Sequence, residues 1–241
     1  MAIISMQLIP YGGVMGATVS CIVAEMVTSK SRGHDMRFIR TDGDSLLPRR
    51  RSIALSQFYE RSTDDVMVTI DHDISWNPGD VVKVAEKALE MTAIVGGLYS
   101  KRAEGQGWAS RLSLAGSIRV PSDEVVKTEY VGSGFMAIPR SVIRKMLEDP
   151  AKAKLTRCWD GRFEYWDYYH TMSVPHKQRP ELSEYLSEDW AFCERVKMAG
   201  IECFTDLRPR IVHYGERAFN ACDGLPKMAL QNTNNTSNAN G

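Results

Sequence analysis

The chain has 241 residues, of which 43% are hydrophobic, and its 30 Lys and Arg balance 30 Asp and Glu. This length suits one large domain with a substantial core, and the balanced charge provides no general attraction to nucleic acid or an anionic membrane. Five scattered cysteines without a CxxC pair argue against a zinc site and against a secreted disulfide framework. We therefore expect a soluble, cytoplasmic protein.

The first 100 residues alternate between strand and helix patterns. Strands are predicted at 3–9, 36–40, 66–70 and 93–99, and helices at 17–29, about 49–61 and 81–91. This alternation is typical of a parallel sheet with helices on both faces, in which ligands bind beyond the carboxyl ends of the strands.

The first of these helices has apolar residues at helical spacing. Val19, Ile22, Val23, Met26 and Val27 should form one face of the helix. We expect that face to pack on the sheet. The stretch from residue 1 to 27 is interrupted by polar residues, glycines and a proline, so it is predicted to be neither a signal peptide nor a membrane span.

The alternation stops after residue 99. Strands are predicted at 112–120 and 125–138 without an intervening helix, followed by an aromatic and polar stretch at 157–179. A helix is predicted from Ser187 to about Ala199, and short strands at 201–205 and 210–213. The tail at 231–241 is rich in Asn, Thr and Ser and is predicted to be disordered.

Two carboxylates, Asp71 and Asp73, follow the apolar strand at 66–70. Residues two apart on an extended chain point the same way, and like charges at that spacing repel unless a cation or proton lies between them. Mg²⁺ and Mn²⁺ prefer such oxygen ligands. From the local pattern alone, a pair that caps a turn or lines a solvated strand end is an equal alternative.

Five motifs together resemble the GT-A-fold nucleotide-sugar glycosyltransferases. They are Pro10-Tyr11 after the first strand, the turn at Asp42, Asp71-His72-Asp73 as the family's DxD, Glu188-Asp189 at a helix start, and the late His213. The resemblance covers residues 3–214, and the DxD alone is a weak motif. It implies an α/β, Rossmann-like GT-A fold, with a mostly parallel central sheet, helices on both faces and a small antiparallel sheet on the acceptor side.

The resemblance also implies how the chain is organised. A single catalytic domain would occupy residues 1–220, with a nucleotide-binding part at about 1–100 and an acceptor and catalytic part at about 101–220. Residues 221–241 would be a C-terminal extension that is disordered from about 231.

In the family, the DxD carboxylates bind a divalent cation that bridges the donor diphosphate. The resemblance therefore implies Mn²⁺ or Mg²⁺ at Asp71, Asp73 and His213, with Asp73 as the direct ligand and Asp71 contacting ribose or the metal through water. His72 lies within this motif and is assigned to donor binding. The alternative for His213 is a structural histidine bonded to a carbonyl.

The nucleotide would be held by Pro10, Tyr11 and Asp42, although proline and aspartate are also common in turns. Arg51 belongs to an arginine triplet that opens a helix, where cations oppose the helix dipole. That placement favours a nearby anion, and relatives often place an arginine there to face the acidic motif or the diphosphate.

Gly132 and Gly134 resemble the backbone segment that approaches the donor sugar in the family; the alternative is a simple β-bulge. Trp159, Tyr165 and Trp166 could stack on an acceptor sugar. Aromatic residues at this density can equally pack an irregular segment on a sheet.

Glu188 and Asp189 begin a helix, and acidic residues in a first turn are stabilised by the helix dipole in any protein. In inverting GT-A enzymes, the corresponding pair supplies the carboxylate that takes the proton of the acceptor hydroxyl. We assign that role to Asp189, with Glu188 as the substitute.

The predicted function is transfer of a sugar from a nucleoside-diphosphate donor to a glycan or other hydroxyl acceptor by a metal-dependent glycosyltransferase, with inversion favoured. One alternative is a nucleotidyltransferase that forms sugar nucleotides, which would need basic residues in the glycine-rich segment 11–16; that segment has none. The other is a binding module without turnover.

Overall fold

The computed structural model describes residues 1–10, 12–102, 105–113, 122–215 and 217–224. Tyr11, most of the strand predicted at 112–120 and the tail predicted to be disordered lie outside these residues.

The described chain contains helices on both faces of a large sheet, together with small antiparallel sheets. The helices are α1 (Gly16–Ser31), α2 (Leu47–Arg61), α3 (Asp80–Met91), α4 (Arg140–Glu148) and α5 (Glu188–Met198), with a 3₁₀ helix at Ala221–Gly224. The strands of the large sheet are β1 (Ile3–Ile9), β2 (Asp35–Arg40), β3 (Val66–Asp71), β5 (Ile94–Gly97), β6 (Arg111–Leu112), β7 (Val125–Tyr130), β8 (Phe135–Pro139) and β13 (Cys203–Asp206). The others are β4 (Ile74–Ser75), β9 (Arg157–Trp159), β10 (Glu164–Trp166), β11 (Met172–Pro175), β12 (Ser183–Leu186), β14 (Val212–Tyr214) and β15 (Ala218–Asn220).

The large sheet has the strand order β2-β1-β3-β8-β5-β13-β7-β6, and β7 and β8 run antiparallel to the rest. The predicted α/β class, with a mostly parallel sheet and small antiparallel sheets, is confirmed. The single strand predicted at 125–138 is wrong, because the chain leaves the sheet at 131–134. β7 then lies beside β13, whereas β8 is inserted between β3 and β5. The helix α4, which follows β8 directly, was not predicted.

Alternating side chains of β3 enter two different cores. Val66, Val68 and Ile70 pack with α3, whereas Met67 packs with α2, α4 and α5. A strand that is apolar on both faces needs helices on both sides, which explains the uninterrupted apolar run in the sequence. No helix in the described part of the chain is long and apolar enough to cross a membrane.

Helix α1 does not bury the face that its apolar spacing predicts. Val23 and Val27 are 60% and 70% exposed, and Val19 and Met26 are also exposed; only Ile22 of the predicted face is buried. The buried side of α1 carries Glu25, which is 0% exposed. The prediction of the packing face is therefore wrong, because a buried carboxylate with specific partners determines the rotation of this helix.

Glu25 connects α1 to the beginning of α3. Its carboxylate accepts hydrogen bonds from the backbone N–H of Gly79 at 2.7 Å, from that of Val82 at 3.1 Å and from Trp76 Nε1 at 3.0 Å. The first N–H groups of a helix lack partners within the helix, and an anion there is stabilised by the helix dipole. Glu25 thus caps α3 from a different helix.

Candidate active site

A cleft of about 380 Å³ opens at the carboxyl ends of β3 and β5. Its walls include Arg51, Asp71, Lys101, Arg102, Glu188, Asp189 and His213; it is here called the acidic cleft after its three carboxylates, which three basic side chains balance. These residues come from five separate segments of the sequence. The position agrees with the rule that ligands bind beyond the carboxyl ends of the strands in such sheets.

Arg51, in the first turns of α2, is the buried cation of the acidic cleft. Its side chain is 4% exposed, and it donates from Nη2 to Asp71 Oδ1 at 2.8 Å and lies 3.6 Å from Glu188 Oε1 through Nη1. Burial acts to lower the pKa of Arg51, but the carboxylates of Asp71, Glu188 and Asp189 outweigh it and raise that pKa. Arg51 therefore remains charged and joins the end of β3 to the start of α5.

Asp73 and His213 meet on the other side of the cleft. β14 pairs with β4 so that His213 lies opposite Ile74, and Asp73 Oδ2 is 3.6 Å from His213 Nε2. Arg102 reaches the same place: its Nη2 donates to Asp73 Oδ2, and its Nε donates to His213 Nε2 at 3.1 Å. Although burial acts to raise the pKa of Asp73, the guanidinium charge of Arg102 is among the effects that lower it.

The two carboxylates of the DxD motif have different partners, although their spacing on an extended chain predicted that they would share one. β3 ends at Asp71, and His72 and Asp73 form a turn that leads into β4. The turn takes the chain out of the large sheet and into β4, which pairs with β14 in a separate sheet. As a result, Asp71 pairs with Arg51 and Asp73 with Arg102. The carbonyl of His72, within the turn, accepts hydrogen bonds from Met15 N–H and Thr18 Oγ1, both at 3.0 Å.

The predicted metal ligands fit a divalent cation only in part. Asp73 Oδ1 is buried without a hydrogen-bond partner among the described residues, as a free ligand atom would be. However, Arg102 lies between Asp73 and His213, and Asp71 is bound to Arg51. The described residues contain no group of three or more side chains placed to hold a metal ion. In this arrangement they do not form a metal site.

Asp189 is the carboxylate best placed to act as a base. Its Oδ1 accepts from Ser187 Oγ and, at 2.9 Å, from the backbone N–H of Trp190. Oδ2 accepts no hydrogen bond from the described residues, so this oxygen is available to a ligand in the cleft. Burial, followed by the charge of Glu188, raises the pKa of Asp189. A carboxylate with a raised pKa accepts protons more readily than an ordinary one.

Gly134 is glycine because two side chains approach its backbone closely. A Cβ atom there would lie 2.6 Å from Tyr99 Oη and 2.8 Å from Asp71 Oδ2. The N–H of Gly134 donates to Tyr99 Oη at 2.9 Å, and its carbonyl accepts from the N–H of Asp71 at 3.0 Å. Gly132 is restricted in the same way, with Tyr99 Oη at 2.5 Å from its Cβ position. Both glycines lie between β7 and β8, and Gly134 also lines the acidic cleft.

A second cleft, here called the arginine cleft after Arg40, Arg49, Arg50 and Arg162 in its walls, has about 430 Å³ and lies between the carboxyl end of β2 and the first turns of α2. Asp42 lines it and is paired with Arg40 at 2.6 Å. Arg50 also lines it: Nη1 donates to the carbonyl of Pro10, and Nε is buried without a partner among the described residues. Pro10 is not among the residues that line this cleft; it is linked to it through the contact of its carbonyl with Arg50.

The three predicted acceptor residues lie on the β9–β10 hairpin and do not line the acidic cleft. Trp159 is 63% exposed, Tyr165 is buried, and the backbone N–H of Trp166 donates to Ser56 Oγ of α2 at 2.9 Å. Tyr165 pairs with Cys158 across the hairpin. Acceptor binding by these residues remains a prediction, and Trp159 alone presents an open aromatic ring.

The sequence analysis did not identify Lys101 and Arg102, which line the acidic cleft. They follow the predicted strand at 93–99 directly. A basic pair at the carboxyl end of one predicted parallel strand, with carboxylates at the carboxyl end of another, was the available signal.

Comparisons with known proteins show the fold and leave the activity open. The chain matches no known protein family, and no curated protein matches it significantly. Among solved structures, A197 from STIV aligns with a TM-score of 0.53 and 16% identity, covering 90% of both chains.

Two further structures align less well. A protein described as a glucose-1-phosphate thymidylyltransferase from Bacillus anthracis, in complex with sucrose, gives a TM-score of 0.41 and 11% identity, covering 100% of this chain and 97% of that chain. Apo UDP-glucose pyrophosphorylase gives a TM-score of 0.38 and 7% identity over 90% of this chain and 68% of that chain. Similarity at these levels establishes nothing about activity.

Proposed function

We propose that the protein is a transferase for nucleotide sugars, and that it moves the sugar to an acceptor hydroxyl. The observation that carries this proposal is the acidic cleft itself. It combines a carboxylate of raised pKa, Asp189, with the buried pair of Arg51 and Asp71 at the carboxyl edge of the sheet.

The cleft suggests how each group takes part in the transfer. The bond between the anomeric carbon and the diphosphate oxygen breaks while the acceptor oxygen bonds to that carbon. The acceptor proton passes to Asp189 Oδ2, which has no partner among the described residues. Lys101 and Arg102 line the same cleft, where the leaving diphosphate gains negative charge. The nucleoside would lie in the arginine cleft, near Asp42.

A base on the opposite face from the leaving group favours inversion of the sugar. Glu188 is the less suitable base because its carboxylate is paired with the Arg51 guanidinium at 3.6 Å, whereas Asp189 Oδ2 accepts no hydrogen bond from the described residues.

A second candidate is the formation of a sugar nucleotide from a sugar phosphate and a nucleoside triphosphate. Two of the compared structures carry names of such enzymes, a thymidylyltransferase and a pyrophosphorylase. Their TM-scores lie below 0.5, so these two similarities do not support the reaction for this chain. The described part of the segment before α1, residues 12–15, contains no basic residue that could hold a triphosphate.

Product analysis separates the two reactions. The full chain is incubated with UDP- and GDP-sugars, and in parallel with sugar 1-phosphates and nucleoside triphosphates. Each mixture contains a divalent cation or a chelator. Release of nucleoside diphosphate from a nucleotide sugar supports the proposed glycosyl transfer. Release of pyrophosphate, with a new nucleotide sugar, would replace it with the second candidate. Binding of a nucleotide sugar without either product over many hours would identify a binding module.

A further inference from the structure

Arg102 lies where a metal ion bound by Asp73 and His213 would lie. Its guanidinium contacts Asp73 Oδ2 through Nη2 and His213 Nε2 through Nε. These two acceptor atoms are only 3.6 Å apart. A divalent ion needs oxygen and nitrogen ligands at about 2.0–2.2 Å, so an ion shared by this pair would occupy the space that the guanidinium fills.

The histidine is oriented for this contact. His213 Nδ1 lies 3.0 Å from the carbonyl oxygen of Ser100, which can only accept, so Nδ1 carries the proton. Nε2 lies 3.1 Å from Arg102 Nε, which can only donate, so Nε2 is the acceptor atom. The ring also packs edge-on against Tyr99 with centroids 5.4 Å apart. These contacts direct the lone pair of Nε2 at Arg102.

Arg102 also separates Asp73 from the solvent in the cleft. The side chain of Asp73 is 8% exposed, whereas that of Arg102 is 51% exposed and forms part of the cleft wall. Nη1 of Arg102 has no partner among the described residues. Lys101 beside it lies 5.9 Å from the Trp190 ring and has no carboxylate partner there either. Both cations are thus available to an anion in the cleft.

We propose that Arg102 is the resident cation of the acidic cleft and that, with Lys101, it binds the diphosphate of the donor without a divalent metal. This inference rests on the proposed function, because it assumes a nucleotide-sugar donor. A guanidinium suits the role because its planar fork can hold a carboxylate on one edge and a phosphate on another. Asp73 fixes the position of Arg102 rather than that of a metal.

Removal of the Arg102 guanidinium should create a metal site. Without the Arg102 guanidinium, Asp73 has two oxygens without partners, and His213 Nε2 faces them with a free lone pair. Carboxylate oxygen and imidazole nitrogen are suitable ligands for Mn²⁺. The Arg102→Ala variant should therefore bind Mn²⁺ more tightly than the wild-type protein does.

The experiment measures UDP and GDP binding to the chelator-treated full chain by calorimetry, with and without Mn²⁺, and Mn²⁺ binding alone by electron paramagnetic resonance. The variants are Arg102→Ala, Arg102→Lys and a matched control, Arg157→Ala. Arg157 is 37% exposed, pairs with two carboxylates and lines neither cleft. Thermal unfolding of each variant checks that the fold is kept.

Wild-type protein should bind one diphosphate with the same Kd, within about twofold, in chelator and in Mn²⁺. In chelator, Arg102→Ala should bind the diphosphate at least tenfold more weakly than wild type, and Mn²⁺ should restore its affinity. Arg102→Lys should keep part of the wild-type affinity in chelator, and Arg157→Ala should have the wild-type Kd in both conditions. The inference is overturned if the wild-type protein binds diphosphate only with Mn²⁺, an outcome that leaves the proposed function intact. No binding of either nucleotide in either condition overturns the proposed function together with this inference.

Discussion

At the residue scale, Asp189 is the side chain on which the proposed reaction depends most. Asn at this position keeps an oxygen for the hydrogen bonds from Ser187 and Trp190 but cannot take a proton. We expect Asp189→Asn to reduce sugar transfer by about 10²–10⁴-fold, the range for loss of a general base, and to leave the Kd for the nucleoside diphosphate unchanged. Turnover assays and calorimetry on the same preparation test both parts.

The pH dependence gives a second test of this residue. The raised pKa of Asp189 means that the base loses activity by protonation at a higher pH than an ordinary aspartate does. The wild-type rate should therefore fall on the acidic side with a midpoint above about 3.9, the pKa of an unperturbed aspartate. Glu188→Gln should keep an acidic limb but move its midpoint to lower pH, because the charge of Glu188 contributes to the raised pKa of Asp189. Equal loss of donor binding and transfer in Asp189→Asn would instead assign Asp189 a structural role at the start of α5.

Arg51 gives a prediction about stability. It is buried between Asp71 and Glu188, so its removal leaves the Asp71 carboxylate without its hydrogen-bonded cation. Breaking a buried pair from one side costs about 3–5 kcal/mol, and we expect a loss toward that range in the free energy of unfolding of Arg51→Ala. Urea denaturation measures it. Arg157→Ala, which removes an exposed pair, should lose no more than about 1 kcal/mol. Similar losses in both variants would show that Arg51 is not a buried structural cation.

At the element scale, Glu25 links α1 to α3, and its ionisation should make stability depend on pH. Burial, the largest effect, raises the pKa of Glu25 above 4.5 despite three hydrogen bonds to the carboxylate. The folded state therefore binds this proton more tightly than the unfolded state. The contribution of Glu25 to stability should increase as the pH falls through the raised pKa and level off below about 4.5, the unfolded value.

The comparison with Glu25→Gln isolates this effect, because glutamine does not titrate. The free energy of unfolding of the wild-type protein, minus that of Glu25→Gln, should increase from pH 8 to pH 5. Denaturant titrations at several pH values measure the difference. Glu90→Gln serves as the control, because Glu90 is 67% exposed and pairs with Lys87 on the surface. A difference that is flat or falls over this range would contradict the prediction.

The same elements show what the sequence could and could not predict. Strands β1 and β3 and helix α3 were predicted correctly from local apolar patterns. Their side chains pack in the apolar cores on the faces of the sheet, so the apolar residues themselves mark these elements. The rotation of α1 did not follow, because Glu25 takes its partners from residues 76–82, and spacing within α1 carries no information about them. Arg102 was missed for the same reason: its partners Asp73 and His213 are distant in sequence. Helix α4 had a local signal, because Val142, Ile143 and Met146 lie on one buried face, but no element was predicted for residues 139–156.

At the scale of the whole molecule, the strand order ties the two halves of the chain together. The predicted nucleotide-binding part, about residues 1–100, supplies β3 and β5, but these strands do not touch in the large sheet. β8, from the second half, lies between them and pairs with both. Val68 of β3 and Val95 of β5 each lie opposite Ala137 of β8. The first half alone would thus lose the strand that joins its own two parts.

We therefore expect the full chain to unfold in one transition and a fragment of residues 1–100 not to fold by itself. An isolated fragment would expose the apolar edges of β3 and β5, whose backbone groups pair with β8 in the intact sheet. Far-UV circular dichroism and tryptophan fluorescence of the full chain should give coincident denaturation midpoints, and the fragment should show no cooperative transition. Trp76 is the only tryptophan in the first 100 residues and is 4% exposed in the full chain, so in the fragment the emission reports whether the core around Trp76 forms. Two separate midpoints, or a fragment with a blue-shifted Trp76 and a sharp transition of its own, would show instead that the halves fold as independent units.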